Sequence, residues 1–403
     1  MRTVGAGTIT QALIDTQKDA TRTPYINVTI DGTNYWSRLE YIEYHEEAYR
    51  DRAIIGLNNR DRTLDKLDLD GKEFAIKFGY DSSGHGGSAT DTVTYPTLWV
   101  KSHQVISFPG QRIYQIYAEG EWMRLREQRV VPGVMIWKAS TSYIVGQSIS
   151  PVTFNGHKYT CITGGTSGSS EPTWPTVSGT SVTDGSVVWK EAGAVGPYSG
   201  IFNATHTVEQ LFKAIIEGVG WTWTSIVPAT NSDGIVDVFK PVFEVNNLGF
   251  ENAAALLYRL IWMTKGFLRQ KAAKVWEFVF PQDADVVDET YYSYQANWFE
   301  EYAEKTILLI PNSIAVVCNE GENGWDETAI LGTAKNQTQI DKYTEVIQQF
   351  LAGSITNLTD ANNRAAAILS KFKSEILGGR LVAPHDCRVE LYDRVLVHDT
   401  RGI

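Results

Sequence analysis

The chain has 403 residues, 43 % of them hydrophobic, with twelve Trp and nineteen Tyr. That length exceeds a single core and predicts two to four folded domains with strand-rich architecture. The formal charge of −11 argues against broad nucleic-acid binding, which needs clustered Lys and Arg. Cys161, Cys318 and Cys387 lie far apart and form no CxxC pair, so the expectation is buried thiols rather than disulfides or zinc ligands. Met1 to Asp15 carries no signal-peptide pattern. The longest apolar stretch, Ala253 to Met263, is too short to span a membrane and is interrupted by Arg259.

Residues 1–131 read as β. Tyr25 to Asp31 alternates, Asp31-Gly32 offers a turn, and Tyr35 to Tyr44 resumes. After a second turn at Asp70-Gly71, Phe74, Ile76 and Phe78 occupy one face of a strand. Trp99 to Phe108 and Arg112 to Trp122 complete a set predicting an antiparallel sandwich or barrel. The Gly-, Ser- and Thr-rich stretch Gly79 to Thr94 is expected to be a flexible loop.

Residues 136–192 change character, being rich in Ser, Thr, Gly and Trp and poor in charge. Asn155-Gly156 predicts a tight turn between Val152–Phe154 and Lys158–Ile162, and Asp184-Gly185 predicts another before Val187–Trp189. Trp137, Tyr143, Tyr159, Trp174 and Trp189 can fill most of so small a core.

Residues 198–296 read as α+β. Thr207 and Gln210 have capping-box spacing, and Val208, Leu211, Phe212 and Ile215 mark one apolar face of a helix ending near Gly218. A second helix is expected over Glu251 to Lys265, then a strand over Val275 to Phe280. Residues 297–403 predict two short strands, or one kinked strand, over Ile307–Ile310 and Ile314–Cys318, and a helix over Ile340 to Leu351. A further helix is capped by Thr359 or Asp360 and stopped at Gly378-Gly379, and Val389 to Val397 is a last strand.

Four tracts of the second segment carry a resemblance. They are Trp137-Lys-Ala-Ser-Thr-Ser-Tyr143-Ile-Val-Gly146, Asn155-Gly-His-Lys-Tyr159-Thr-Cys161, Thr166-Ser-Gly-Ser-Ser-Glu171-Pro-Thr-Trp174-Pro175 and Thr183-Asp-Gly185-Ser-Val-Val-Trp189. Together they resemble the chitin- and carbohydrate-binding β modules that recur in phage tail proteins. The resemblance implies a sugar site in which Tyr143, Tyr159 and Trp174 stack on a pyranose.

The surrounding frame carries Tyr294-x-x-Asn297-Trp298-Phe299, then Lys305 and Pro311-Asn312-x-Ile314-x-Val316. Later come Leu381-x-x-Pro384-His385 and Glu390-Leu-Tyr-Asp393-Arg394-Val395-x-Val397-x-Asp399. In this order they resemble the hub family of phage baseplates and tail tips. The resemblance implies a multidomain, mainly β fold with α+β: two small antiparallel β-barrel-like domains (residues 1–131 and 297–403, the latter with a helical insertion), an α+β domain (198–296) and an inserted small β module (136–192). It further implies a homotrimer that docks the tail tube among distal-tail and other baseplate proteins. The expected location is the virion tail, after synthesis in the host cytoplasm. The expected partners are copies of itself, those tail proteins and host-surface carbohydrate, with no sequence-specific nucleic acid, no cofactor and no metal.

The competing readings are a carbohydrate-active enzyme and an adhesin, each with an appended sugar-binding module. Glycoside hydrolysis needs two carboxylates at a set separation. The neighbours Glu300-Glu301, Asp283-Asp285 and Asp288-Glu289 read instead as solvated charge. No Gly-x-Ser-x-Gly, His-Glu-x-x-His or phosphate-cradling loop occurs. His385, Asp386 and Cys387 are consecutive and cannot easily converge on one metal. The expectation is therefore a structural protein without catalysis.

Overall fold

A computed structural model describes residues 11–19, 21–128, 135–152, 155–194, 199–203, 206–246, 251–282, 284–295, 297–306, 310–318, 329–352, 355, 357–374 and 377–401. The architecture is mainly β with α+β, as the sequence predicts. Two compact units share the chain. One gathers Met1–Arg124, Leu268–Ile310 and Lys373–Ile403, and the other gathers Leu125–Phe267 and Pro311–Phe372.

The first unit is built on eight strands: β1 (Pro24–Ile30), β2 (Thr33–Asn34), β3 (Leu39–His45), β4 (Arg52–Asn58), β5 (Glu73–Tyr80), β6 (Asp91–Thr94), β7 (Leu98–Phe108) and β8 (Gln111–Gly120). Their order is β2-β1-β5-β7-β8-β4-β3, with β6 on β5. The turn from β1 to β2 forms because Asp31 and Gly32 both accept positive φ, 47° and 78°. Alternation buries Val28, Ile30, Ile55, Leu57, Phe74, Ile76, Tyr114 and Ile116 on one side, where Leu13 of the helix Gln11–Lys18 joins them.

This sheet does not close into the expected barrel. Its end strands β2 and β3 are joined by the single helical turn at Trp36–Arg38 and not by a ladder. The loop expected over Gly79 to Thr94 is shorter than predicted, because its last four residues form β6, where Val93 pairs with Phe78 and is fully buried.

The second barrel-like domain also has no closed form among the described residues. Glu289–Tyr292 pairs in parallel with Val395–His398, and Glu301–Thr306 pairs antiparallel with Leu377–Val382, each as a separate two-stranded sheet. The last strand begins at Val395 rather than Val389 because residues 390–393 form a turn. There the Asp393 carboxylate accepts from Glu390 N at 3.0 Å, and Tyr392 takes a φ of 70°. Gly378 and Gly379 do not stop a helix. They lie in a strand opposite Lys305 and Glu304, and a Cβ on Gly379 would collide with the Ala303 carbonyl.

In the second unit the predicted capping box at Thr207 is present, and the helix Val208–Gly218 buries Val208, Leu211, Phe212 and Ile215. The expected helix over Glu251 to Lys265 is shorter, Ala253–Ile261, with Asn252 as its cap. Ile340 to Leu351 is not one helix. Gln337–Lys342 is helical, but Ile347–Leu351 is a strand beside Ser313–Cys318. Buried Asn312 forces that switch, since its side chain donates to Thr344 O and accepts from Val346 N, both at 2.8 Å, holding the chain extended. The helix Leu358–Ser374 packs Ala361, Ala365 and Ile368 on Ile314 and Val316. Its N-terminal amide Asp360 N is taken by the side chain of Asn357, a cap earlier than Thr359 or Asp360. Ile307 to Leu309 and Ile376 lie outside the described residues. Among the described residues no helix is long and apolar enough to cross a membrane.

Candidate functional surfaces

Residues 135–194 form the module. Its five-stranded sheet runs in the order Ser181–Asp184, Val187–Ala194, His157–Thr163, Ser148–Ser150, Met135–Ile136. Asp184-Gly185 turns as predicted, with Asp184 opposite Val187 and Gly185 at a φ of 64°. The hairpin at Asn155-Gly156 is wider than predicted: His157–Thr163 pairs with Ser148–Ser150, Val152 is not in a strand, and Phe154 lies outside the described residues.

All five predicted aromatics meet. Trp137, Tyr143, Tyr159 and Trp189 are buried with Ile149, Cys161 and Val187, and Trp174 packs against them half-buried. One side chain organises the centre. Buried Asp184 accepts from the indole N–H of Trp137 at 2.7 Å and of Trp189 at 3.0 Å on one oxygen, and from Gly168 N at 2.7 Å on the other. From sequence alone, Asp184 reads only as a turn residue.

The three predicted sugar-site residues hold different positions. Tyr143 is 3 % exposed and turns no face to solvent; its hydroxyl accepts from Lys138 N at 2.9 Å, and burial pushes its pKa up to about 12. Tyr159 is fully buried, its hydroxyl donating to Pro175 O at 2.9 Å. Trp174 rests on Tyr159 with centroids 4.4 Å apart and stands edge-on to Trp189 at 6.2 Å. Its indole N–H donates to Glu171 Oε1 at 2.8 Å, and the same oxygen accepts from Val152 N at 2.8 Å. Glu171, not singled out from sequence, therefore fixes the one predicted ring that keeps an open surface.

A second surface lies in the first unit. β7 pairs with β5 only at Leu98 and Trp99. From Ser102 to Phe108 it pairs with β8 alone, so β7-β8-β4-β3 is a four-stranded sheet with an open edge on each side among the described residues. The β7 edge, Lys101–Phe108, has one charged residue and shows Val105 at 40 % and Phe108 at 57 % exposure. The β3 edge carries exposed Glu40 and Glu43. Charge is a usual protection of a sheet edge, and β7 mostly lacks it. An uncharged row links β7, β8 and β3 across this sheet: the Gln104 amide donates to Gln115, which donates to Tyr41 Oη at 2.7 Å. The Tyr41 ring lies over Gly56, where a Cβ would collide with it.

The tested enzyme features do not converge. His385 Nε2 meets Tyr95 Oη at 3.2 Å, Asp386 is held by Arg388, and Cys387 Sγ meets Gln17 Oε1 at 3.0 Å, so three neighbours take three different partners. Glu289 is likewise taken by Arg388. The three cysteines are buried free thiols. Among the described residues no group of three or more His, Cys, Asp or Glu is placed to hold a metal ion.

No protein-family model matches the chain, and no curated protein matches it in sequence. Solved structures do. The tail protein from Neisseria meningitidis MC58 superposes with a TM-score of 0.54 over 94 % of this chain and 88 % of that one, at 10 % identity. The 43 kDa tail protein of prophage MuSo2 from Shewanella oneidensis gives 0.53 over 94 % and 90 %, also at 10 % identity. The chain has the fold of these tail proteins. The likeness covers most of the length of each compared chain and is not confined to one shared sheet.

Proposed function

We propose that the chain is a structural, non-enzymatic component of a phage tail tip or baseplate hub, working as a ring of three copies that docks the tail tube. The observation that carries this reading is the full-length likeness to two tail proteins. The four-stranded sheet with two open edges supplies a means of assembly. A heterologous contact, β7 of one copy against β3 of the next, closes into a ring when the rotation allows. Lys101 on one edge is opposite in charge to Glu40 and Glu43 on the other. Such pairing satisfies the backbone groups that each edge leaves open. Neighbouring tail components would be the further partners and the virion tail the location. In this reading the module projects Trp174 to contact a host-surface glycan, a role supported by its locked ring and the four sequence tracts.

Light scattering of the purified full chain, with negative-stain images of the same sample, tests the ring. A particle of three times the chain mass with a central hole is expected. A monomer at every concentration contradicts it.

A further inference from the structure

The Trp174 indole and the Glu171 carboxylate form one rigid pair, and its chemistry selects a ligand class. Glu171 Oε1 is fully used, accepting from the indole N–H and from Val152 N, both at 2.8 Å. Oε2 of the same carboxylate makes no hydrogen bond among the described residues, and Glu171 is half-buried rather than enclosed. The ring is braced from the core side by Tyr159 and Trp189, so it does not have to be ordered on binding. Pro172 and Pro175 flank it in sequence and limit the freedom of the strap that carries both residues. The result is an aromatic surface with an uncommitted anionic oxygen at its rim.

An indole face attracts cations as well as sugar C–H groups, and a carboxylate oxygen beside it completes an ammonium site. A hydroxyl would also satisfy Oε2, but an acidic sugar would meet a like charge. We infer that the pair Trp174–Glu171 recognises an amino sugar, with the ring stacked on the pyranose and Glu171 Oε2 accepting from the ammonium. The module's other two carboxylates do not compete for this ligand. Asp184 is committed to two indoles and Gly168 N, and Glu191 to His157, Gly179 N and Gly193 N. This inference rests on the glycan reading of the module and names its substrate class.

The test is calorimetric binding of the full chain to a β-linked glucosamine oligosaccharide, to its N-acetylated counterpart, and to a lysine-rich peptide of similar charge. Wild type should bind the amino oligosaccharide at least tenfold more tightly than the acetylated one. Glu171→Gln keeps an oxygen for the indole N–H but removes the charge, and should bring the two ligands within about threefold of each other. Trp174→Ala should lose both, and near-UV circular dichroism of each variant shows whether the module stays folded. Four outcomes overturn the inference. If wild type binds both oligosaccharides equally, or Glu171→Gln keeps the preference, the amino-sugar assignment fails while the glycan reading stands. If no oligosaccharide binds, the glycan reading fails with it. If the peptide binds as tightly as the amino oligosaccharide, the site recognises protein cations instead.

Discussion

In the module, every large core side chain from Trp137 to Trp189 comes from one continuous stretch, and one buried carboxylate, Asp184, ties two of its indoles together. The first unit draws on both ends of the chain. Cys387 sits in the same core as Leu13, and its backbone N donates to Gln17 Oε1 at 3.0 Å across 370 residues. Its distant segments are fastened by charge: Arg388 to Asp386 and Glu289, and Arg269 with Lys271 to Glu277, Glu390 and Asp393. A local core needs little loop closure, and aromatic packing with one polar keystone suffices. A core assembled from remote segments must order long connections first, and paired buried charges then fix which segments meet.

This contrast can be broken, beginning with the largest effect. Asp184→Ala leaves two buried indole N–H groups and Gly168 N without their acceptor and should cost about 4 kcal/mol. Near-UV circular dichroism during thermal unfolding should show the module melting early while the rest of the chain keeps its transition. Loss of both transitions together would mean the module is not self-contained. Arg388→Ala strands the carboxylates of Asp386 and Glu289 and should cost about 3 kcal/mol, seen in denaturant unfolding of the first unit. An unchanged midpoint would show that charge does not fasten that unit.

The second unit offers a pH test. Lys371 in the helix Leu358–Ser374 is buried, its ammonium donating to Gly266 O and lying 4.3 Å over the Phe267 ring. Burial pulls its pKa down to about 7 from an ordinary 10.5. Between those values the unfolded chain binds more protons than the folded one, so stability should rise with pH across that window. The penalty is complete below the folded value. A gain of about 3 kcal/mol from pH 7 to pH 10, missing in Lys371→Met, is expected in urea titrations. Equal slopes in both proteins would refute it. The smallest change in stability belongs to Val105→Glu on the open β7 edge, within about 0.5 kcal/mol by thermal unfolding, because that side chain is 40 % exposed and meets no core. Its effect should fall on assembly alone.

Much of this architecture was legible where pattern and partner lie close in sequence. The β1, β5, β7 and β8 strands, the capping box at Thr207 and the aromatic set of the module follow from alternation, spacing and composition. The misread elements share a cause in distant contacts. Ile347–Leu351 becomes a strand because Asn312, far upstream, holds its approach extended. Gly378 and Gly379 resemble a helix stop, but their smallness serves the close approach of Ala303. Glu171 gave no signal, because the identity of its partners, Trp174 and Val152, depends on how the strap folds back. The open β7 edge was equally hidden, since no residue pattern states that β5 stops pairing after Trp99.

Hydrogen exchange at the two edges tests the proposed assembly most directly. It should be followed by mass spectrometry in wild type and Val105→Glu at a concentration where wild type gives the trimer mass. Pairing between copies predicts that amides of Lys101–Phe108 and Leu39–His45 become protected together in wild type and exchange fast in Val105→Glu, while those of β4 stay protected in both. A wild-type oligomer whose β7 and β3 edges exchange as fast as in the variant would contradict it.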